Sequence, residues 1–116
     1  MKILDKIIHD KKSEIKNLSV IAPISYLEEQ KDFIKKCKSL KDSIKNSKSG
    51  IICEFKRKSP SNKNINYTSN ISEVIKGYEK AGAVGVSILT NKKYFDGSIS
   101  DINSVKTSIG IPILRK

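Results

Sequence analysis

The sequence predicts an α/β fold built on a parallel sheet and preceded by a helical segment. Residues 51–56, 84–89 and 111–115 are short apolar stretches, and amphipathic stretches of helical period lie between them. Apolar strands joined by helices form parallel sheets that are covered on at least one face. A doubly wound sheet and a (β/α)8 barrel both fit this order, and periodicity alone does not separate them.

Ahead of the strands, residues 1–49 predict helices only. Over residues 2–18 the apolar side chains recur at helical spacing, with Lys and Asp between them. Residues 19–24 contain Pro23 and predict a linker. Apolar stripes of this kind are typical of structural packing, so we expect no chemistry from this segment.

The segment after the linker predicts a second helix. Ser25 followed by Glu28 fits a capping box, in which the serine caps the helix and the glutamate returns the hydrogen bond. Four apolar residues then fall on the inward face of this helix: Leu27, Phe33, Ile34 and Cys37. Leu40 and Ile44 either continue the helix or form a short helix of their own.

The strand-and-helix part follows a polar break and starts with the strand at 51–56. A long loop over residues 57–70 is too polar to be buried. The pattern over residues 71–80 predicts a helix, and Gly82 ends it in the manner of a C-cap glycine. Residues 90–97 predict a loop, and residues 98–108 predict a further helix before the last strand.

The chain is strongly basic, with a net charge of +11 that 21 Lys and two Arg produce. Such a charge favours polyanion binding in general. Bidentate recognition of phosphates and bases prefers Arg, however, and the charge is spread evenly along the chain. An A/T-rich coding bias accounts for the Lys, Ile and Asn content. We therefore expect no nucleic-acid partner and keep a basic polyanion-binding module as an alternative.

The two cysteines make no metal-binding pattern. Cys37 and Cys53 lack metal spacing with each other and with His9, so we expect no metal and two buried thiols in a reducing compartment. The charged N-terminus is unlike a signal peptide, and no apolar stretch approaches the ~20 residues of a membrane span. These features predict a cytoplasmic protein without a membrane partner.

The stretch over residues 51–61 carries the candidate chemistry. In a strand, side chains alternate between faces, so Glu54 and Lys56 share one face while Cys53 and Phe55 share the other. The Ser-Pro pair that follows ends the strand, because proline cannot extend it. A charged face at the carboxyl end of an apolar strand favours the inner wall of an enzyme over a plain core. An ordinary ion pair at a strand end is the alternative.

Several segments resemble the indole-3-glycerol-phosphate synthase family. Residues 54–61, Glu-Phe-Lys-Arg-Lys-Ser-Pro-Ser, resemble that family's first-strand signature. Residues 78–83, Tyr-Glu-Lys-Ala-Gly-Ala, resemble the end of its first barrel helix, and residues 86–90, Val-Ser-Ile-Leu-Thr, its second strand. Residues 94–98, Tyr-Phe-Asp-Gly-Ser, resemble the loop after that strand, and residues 111–116, Ile-Pro-Ile-Leu-Arg-Lys, its third strand.

The resemblance implies a (β/α)8 TIM barrel with an N-terminal helical extension. Residues 1–49 would be the extension, and residues 50–116 would be the first three strands with their helices. A full barrel takes about 250 residues, so the chain is expected to correspond to the N-terminal part of an enzyme. The family's general base and phosphate site come from later strands, and we expect the 116 residues alone to be inactive.

The resemblance also implies a reaction and a set of site residues. The family closes the indole ring of 1-(2-carboxyphenylamino)-1-deoxyribulose 5-phosphate, with loss of carbon dioxide and water, in tryptophan biosynthesis. Lys116 matches the family's general acid, and Lys56 matches the lysine at the substrate carboxylate. Glu54 matches a glutamate that holds both lysines and the substrate hydroxyls. Ser59 and Phe95 match positions that line the substrate pocket.

The resemblance leaves the partners and one enzymatic alternative open. It implies a phosphorylated small-molecule substrate and no metal or organic cofactor. Fusion or association with other tryptophan-pathway enzymes is possible in this family and stays open. A phosphoribosylanthranilate isomerase-like barrel is the enzymatic alternative. The first-strand signature and the helical extension argue against it.

Overall fold

A computed structural model describes all residues 1–116, which form two compact units, residues 1–36 and residues 37–116. The first unit contains helix α1 at Ile3–Ile21 and the short helix α2 at Ile24–Glu28. Hydrogen-bonded turns follow α2 over residues 29–34. No helix of the structure is both long enough and apolar enough to cross a lipid bilayer.

The second unit is a three-stranded parallel sheet with helices, in the order β1-β2-β3. Its elements are α3 Leu40–Lys45, β1 Ile52–Phe55, α4 Ile71–Lys80, β2 Gly85–Ile88, α5 Lys92–Phe95, α6 Ile99–Val105 and β3 Ile113–Arg115. Glu54 pairs with Ser87, and Ser87 pairs with Leu114. The predicted alternation of parallel strands and helices is confirmed.

The core lies between one face of the sheet and the helices α4 and α6. Its fully buried members come from both strands and helices: Phe55, Ile75, Val86, Ile88, Val105 and Ile109. Because strand residues alternate, burying Val86 and Ile88 leaves Ser87 on the opposite face of β2. This second face carries the candidate site. Three parallel strands are part of what a TIM barrel requires, and a closed barrel is not present in these residues.

The second helix was predicted wrongly. Pro23, not Ser25, occupies the N-cap position of α2, and no side chain caps this helix. A proline ring fixes φ and is well tolerated before the first helical turn, so the helix begins earlier than the capping-box pattern suggests. Helix α2 also ends at Glu28, which leaves Phe33 and Ile34 exposed in turns rather than on an inward helical face.

The predictions for Cys37 and for the loop at residues 90–97 also need correction. Cys37 is exposed and Cys53 is half-buried, so the thiols are not a buried pair. The loop contains helix α5, because the Asn91 side chain accepts a hydrogen bond from Tyr94 N at 2.8 Å and caps a short turn. Leu40 and Ile44 lie on a separate helix, α3.

Local sequence signals explain the helix ends that were predicted correctly. Asn70 caps α4 through hydrogen bonds from Ser72 N and Glu73 N. Gly82 follows the end of α4 with φ +98°, a left-handed conformation that favours glycine. A capping box does occur in this chain, between Ser98 and Asp101 at the start of α6.

Candidate active site

The candidate site is centred on the carboxylate of Glu54, on the sheet face opposite the helices α4 and α6. Lys56 follows on the same face just beyond β1, and Lys116 follows directly after β3. Sheet pairing brings these segments together, because Ile88 lies between Phe55 and Arg115 in the parallel register. All three charged residues therefore lie at the carboxyl ends of their strands. Active sites of TIM barrels occupy this end of the sheet.

The Glu54 carboxylate bridges the two lysines. The distance from Lys56 Nζ to Glu54 Oε1 is 3.1 Å, and that from Lys116 Nζ to Glu54 Oε2 is also 3.1 Å. Ser87 Oγ donates a further hydrogen bond to Oε2 at 3.2 Å. Each carboxylate oxygen therefore faces one ammonium group. The catalytic role of Glu54 stays a prediction.

The two lysines control the ionisation of Glu54. Partial burial raises the pKa of this carboxyl, but hydrogen bonds and charge attraction from Lys56 and Lys116 together outweigh it, and the pKa lies below its ordinary value of 4.5. Glu54 is therefore ionised at neutral pH. Two cations then share one anion, which leaves this cluster of three side chains with a net positive charge.

The main chain around these side chains is held by the sheet and by α4. Lys116 N donates to Ile88 O at 3.0 Å, and Thr90 N donates to Lys116 O at 2.9 Å. Tyr78, on α4, donates its hydroxyl to Glu54 O at 3.1 Å. Burial raises the pKa of the Tyr78 hydroxyl, so it remains a donor at neutral pH. Lys116 is thus part of the strand ladder, although its ammonium group is exposed.

Ser59 and Phe95 lie in the segments that follow β1 and β2. Ser59 belongs to a tight turn in which Ser59 N donates to Asn62 O at 2.7 Å and Asn62 N donates to Ser59 Oγ at 3.2 Å. Phe95 is the half-buried last residue of α5. No hydrogen bond joins either side chain to Glu54, Lys56 or Lys116. Their roles in lining a substrate pocket stay predictions.

An ion pair that was not predicted connects the loop after β1 with the start of α6. Arg57 Nη1 donates to Asp101 Oδ2 at 2.6 Å, and Nη2 donates to Asp101 Oδ1 at 2.8 Å. The guanidinium also lies 5.3 Å from the centre of the Phe55 ring. The hydrogen bonds that Arg57 donates to Asp101 raise the pKa of the guanidinium above its ordinary value. In the sequence, a capping-box pattern from Ser98 to Asp101 points to Asp101, but nothing in the sequence points to Arg57 as its ion-pair partner.

A groove of about 300 Å³ opens beside this ion pair. Its walls come from the loops after β1 and β2 and from the first turn of α6: Arg57, Tyr67, Lys92, Asp96, Gly97, Ser98, Ser100 and Asp101. Tyr67 donates its hydroxyl to Asp96 Oδ2 at 3.0 Å, and Lys92 forms an ion pair with Asp96. Lys92 and Tyr67 lower the pKa of the Asp96 carboxyl. The charges of the groove are therefore largely paired with one another.

No group of three or more His, Cys, Asp and Glu residues is placed to hold a metal ion. The expectation that the protein uses no cofactor stays a prediction.

Sequence comparison identifies the family. The family model described as indole-3-glycerol phosphate synthase matches residues 4–116. The chain belongs to this family. Among similar curated proteins, the indole-3-glycerol phosphate synthase of Bacteroides thetaiotaomicron is 38% identical over 114 residues, covering 98% of this chain and 44% of the relative.

Other relatives give the same result. The indole-3-glycerol phosphate synthase of Methanothermobacter marburgensis is 36% identical and covers 100% of this chain and 41% of the relative. That of Sulfurisphaera tokodaii is 47% identical over 79 residues, which is 68% of this chain and 30% of the relative. The chain therefore spans less than half the length of the curated relatives it matches. The family resemblance predicted from the sequence is confirmed.

Proposed function

We propose that these residues form the N-terminal part of a TIM-barrel indole-3-glycerol-phosphate synthase. Residues 1–49 would be the helical extension, and residues 50–116 would supply the first three strands. The enzyme would close the indole ring of 1-(2-carboxyphenylamino)-1-deoxyribulose 5-phosphate in a cytoplasmic biosynthetic role. One observation carries the proposal: Glu54 joins Lys56 and Lys116 at the carboxyl ends of β1 and β3.

The reaction requires a proton donor and a cation, and two lysines of this chain suit these tasks. The ring carbon that bears the carboxylate bonds to the ribulose carbonyl carbon, whose oxygen takes a proton from the Lys116 ammonium group. The bond to the carboxylate then breaks, carbon dioxide leaves, and its bonding electrons restore the aromatic ring. The new hydroxyl then takes up a proton and leaves as water, while the adjacent methylene carbon loses a proton to the general base, and the second ring becomes aromatic.

Lys56 is proposed to bind the substrate carboxylate, and Glu54 to hold both lysines. The two ammonium groups are attached to segments far apart in sequence, so a shared carboxylate fixes the distance between the proton donor and the carboxylate-binding cation. Such fixed placement of charge is a main source of enzymatic rate enhancement. Ser59 and Phe95 would line the pocket, with Phe95 against the aromatic ring of the substrate.

The general base and the phosphate-binding loops would come from strands beyond the third, as in barrels generally. Residues 1–116 by themselves are therefore expected to show no measurable synthase activity. Supplying the missing strands should restore it.

A chimera tests the proposal. Residues 1–116 would be fused in frame to the complementary C-terminal part of the Bacteroides thetaiotaomicron relative, which is 38% identical over the shared region. Formation of indole-3-glycerol phosphate would be followed by its fluorescence. We expect activity in the chimera and none in a matched chimera carrying Glu54→Gln with Lys116→Met. A well-folded chimera without activity would contradict the proposed function.

A further inference from the structure

Ser87 is the buried polar residue nearest to the candidate site. It lies in the central strand β2, is only 4% exposed, and is one of two buried polar residues of the chain. The other members of β2 are buried glycine and apolar residues. A hydroxyl in such a position weakens the strand unless it has a hydrogen-bond partner, because burying an unpaired hydroxyl is costly.

The partner of this hydroxyl is the Glu54 carboxylate. Strand pairing places Ser87 directly beside Glu54, and Ser87 Oγ donates to Oε2 at 3.2 Å. Lys116 Nζ binds the same oxygen, whereas Lys56 Nζ binds Oε1. The carboxylate therefore has one donor beneath it in the sheet and one ammonium group on each side.

This arrangement fixes which oxygen faces which lysine. A glutamate held only by flexible lysines turns freely about its last torsion, which is broad. The Ser87 hydroxyl is attached to the middle strand and does not move with the flexible lysine side chains. Its hydrogen bond therefore keeps Oε2 turned toward β3. The other oxygen, Oε1, then accepts only from Lys56. A neutral donor is well suited to this task, since it orients the carboxylate without adding a third cation.

We propose that Ser87 is a positioning residue that sets the orientation of the Glu54 carboxylate and thereby the separation of Lys56 and Lys116. The inference rests on the proposed function for its catalytic consequence, but not for its geometry. The charged or titratable groups that contact Glu54 are Lys56 just beyond β1, Lys116 just beyond β3, and Tyr78 on α4 through the main-chain carbonyl.

The test compares Ser87→Ala with Ser87→Cys and Ser43→Ala in the chimera proposed above, which carries the missing strands. The cysteine variant keeps nearly the volume of serine but has only a weak donor, so it serves even if the alanine variant folds poorly. Ser43 is the matched control, because its half-buried hydroxyl donates to Val84 O just before β2 and not to the Glu54 carboxylate.

The first measurement is the titration of the Glu54 carboxyl carbon by nuclear magnetic resonance, assigned with Glu54→Gln. Removing a donor from an ionised carboxylate disfavours the ionised form, so both Ser87 variants should raise the pKa of Glu54 and Ser43→Ala should not. An unchanged Glu54 titration in both Ser87 variants would overturn the inference. This readout does not depend on catalysis.

The second measurement is the pH profile of kcat. We expect kcat to fall about threefold to tenfold in the Ser87 variants, as for the loss of one buried hydrogen bond, with a smaller effect on KM and a displaced acidic limb. Ser87→Thr, which retains the hydroxyl, should recover the pH profile. If the unmodified chimera folds but proves inactive, the proposed function fails while the titration still decides the role of Ser87.

Discussion

Arg57 and Asp101 are joined by two parallel hydrogen bonds of 2.6 and 2.8 Å, which tie the loop after β1 to the first turn of α6. The Asp101 side chain is 10% exposed and that of Arg57 is 25% exposed, so water competes weakly for either group. Asp101 also accepts a hydrogen bond from Ser98 N in the capping box. One carboxylate thus stabilises a helix start and a loop end together.

Asp101→Asn should destabilise the protein by about 2–3 kcal/mol, because it leaves the Arg57 guanidinium without its charged partner and weakens the capping box. Denaturant unfolding would measure the change. The matched control is Glu14→Gln, which breaks an exposed ion pair with Lys11 at 2.6 Å. Exposed pairs of this kind typically contribute about 0.2–1 kcal/mol. Equal losses in the two variants would contradict the role assigned to Asp101.

Gly97→Ala should be among the most damaging single substitutions in the loop after β2. A Cβ atom at this position would lie 1.9 Å from Leu89 O and 2.8 Å from Thr90 Cα, and main-chain atoms cannot move aside cheaply. We expect a loss of about 3 kcal/mol or more, or displacement of the segment that carries Phe95. The thermal midpoint and the near-ultraviolet circular dichroism spectrum would show either result.

Gly77→Ala provides the control for this glycine. Gly77 lies inside α4, and a Cβ there meets no atom within 4 Å. The substitution should stabilise the protein by about 0.5–1 kcal/mol through helix propensity. A loss of stability in this variant would mean that the surroundings of α4 differ from those described.

The ion pairs of Glu54 predict a pH dependence of stability. Lys56 and Lys116 hold the pKa of the folded-state carboxyl below its ordinary value of 4.5. The stabilisation is therefore fully present above that value and is lost as the pH falls through the lower, folded-state pKa. Unfolding measured from pH 6 to pH 3 should show a decline that is shallower in Glu54→Gln. Identical slopes would show that Glu54 does not contribute.

In the chimera, Lys116→Met should abolish turnover if Lys116 is the proton donor. General acid catalysis contributes about a hundredfold to ten-thousandfold, so kcat should fall by at least a hundredfold. Lys56→Met should mainly raise KM, since that lysine is proposed to bind the substrate carboxylate. The control is Lys48→Met, at an exposed position outside the site, which should leave both constants unchanged. A Lys116→Met variant with normal kcat would exclude the assigned role.

The sequence by itself determined the local elements and the family. The period of the apolar residues gave the parallel strands and most helices, and the alternation along β1 placed Glu54 and Lys56 on one face. Helices, strands and the alternation of side chains along a strand depend on residues close in sequence, and the steric limits on their backbone angles are the same in any fold. The start of the second helix was predicted wrongly, because two local signals compete there: Pro23 takes the N-cap position that the capping-box pattern assigned to Ser25.

Only the tertiary structure decided which distant residues meet. Lys116 reaches Glu54 across 62 positions, and Arg57 reaches Asp101 across 44. Both contacts depend on the strand register and on the order β1-β2-β3. The periodicity of the sequence specifies neither. Ser87 illustrates the same limit: its position in an apolar strand was visible, but its hydrogen bond to Glu54 arises from the pairing of two strands.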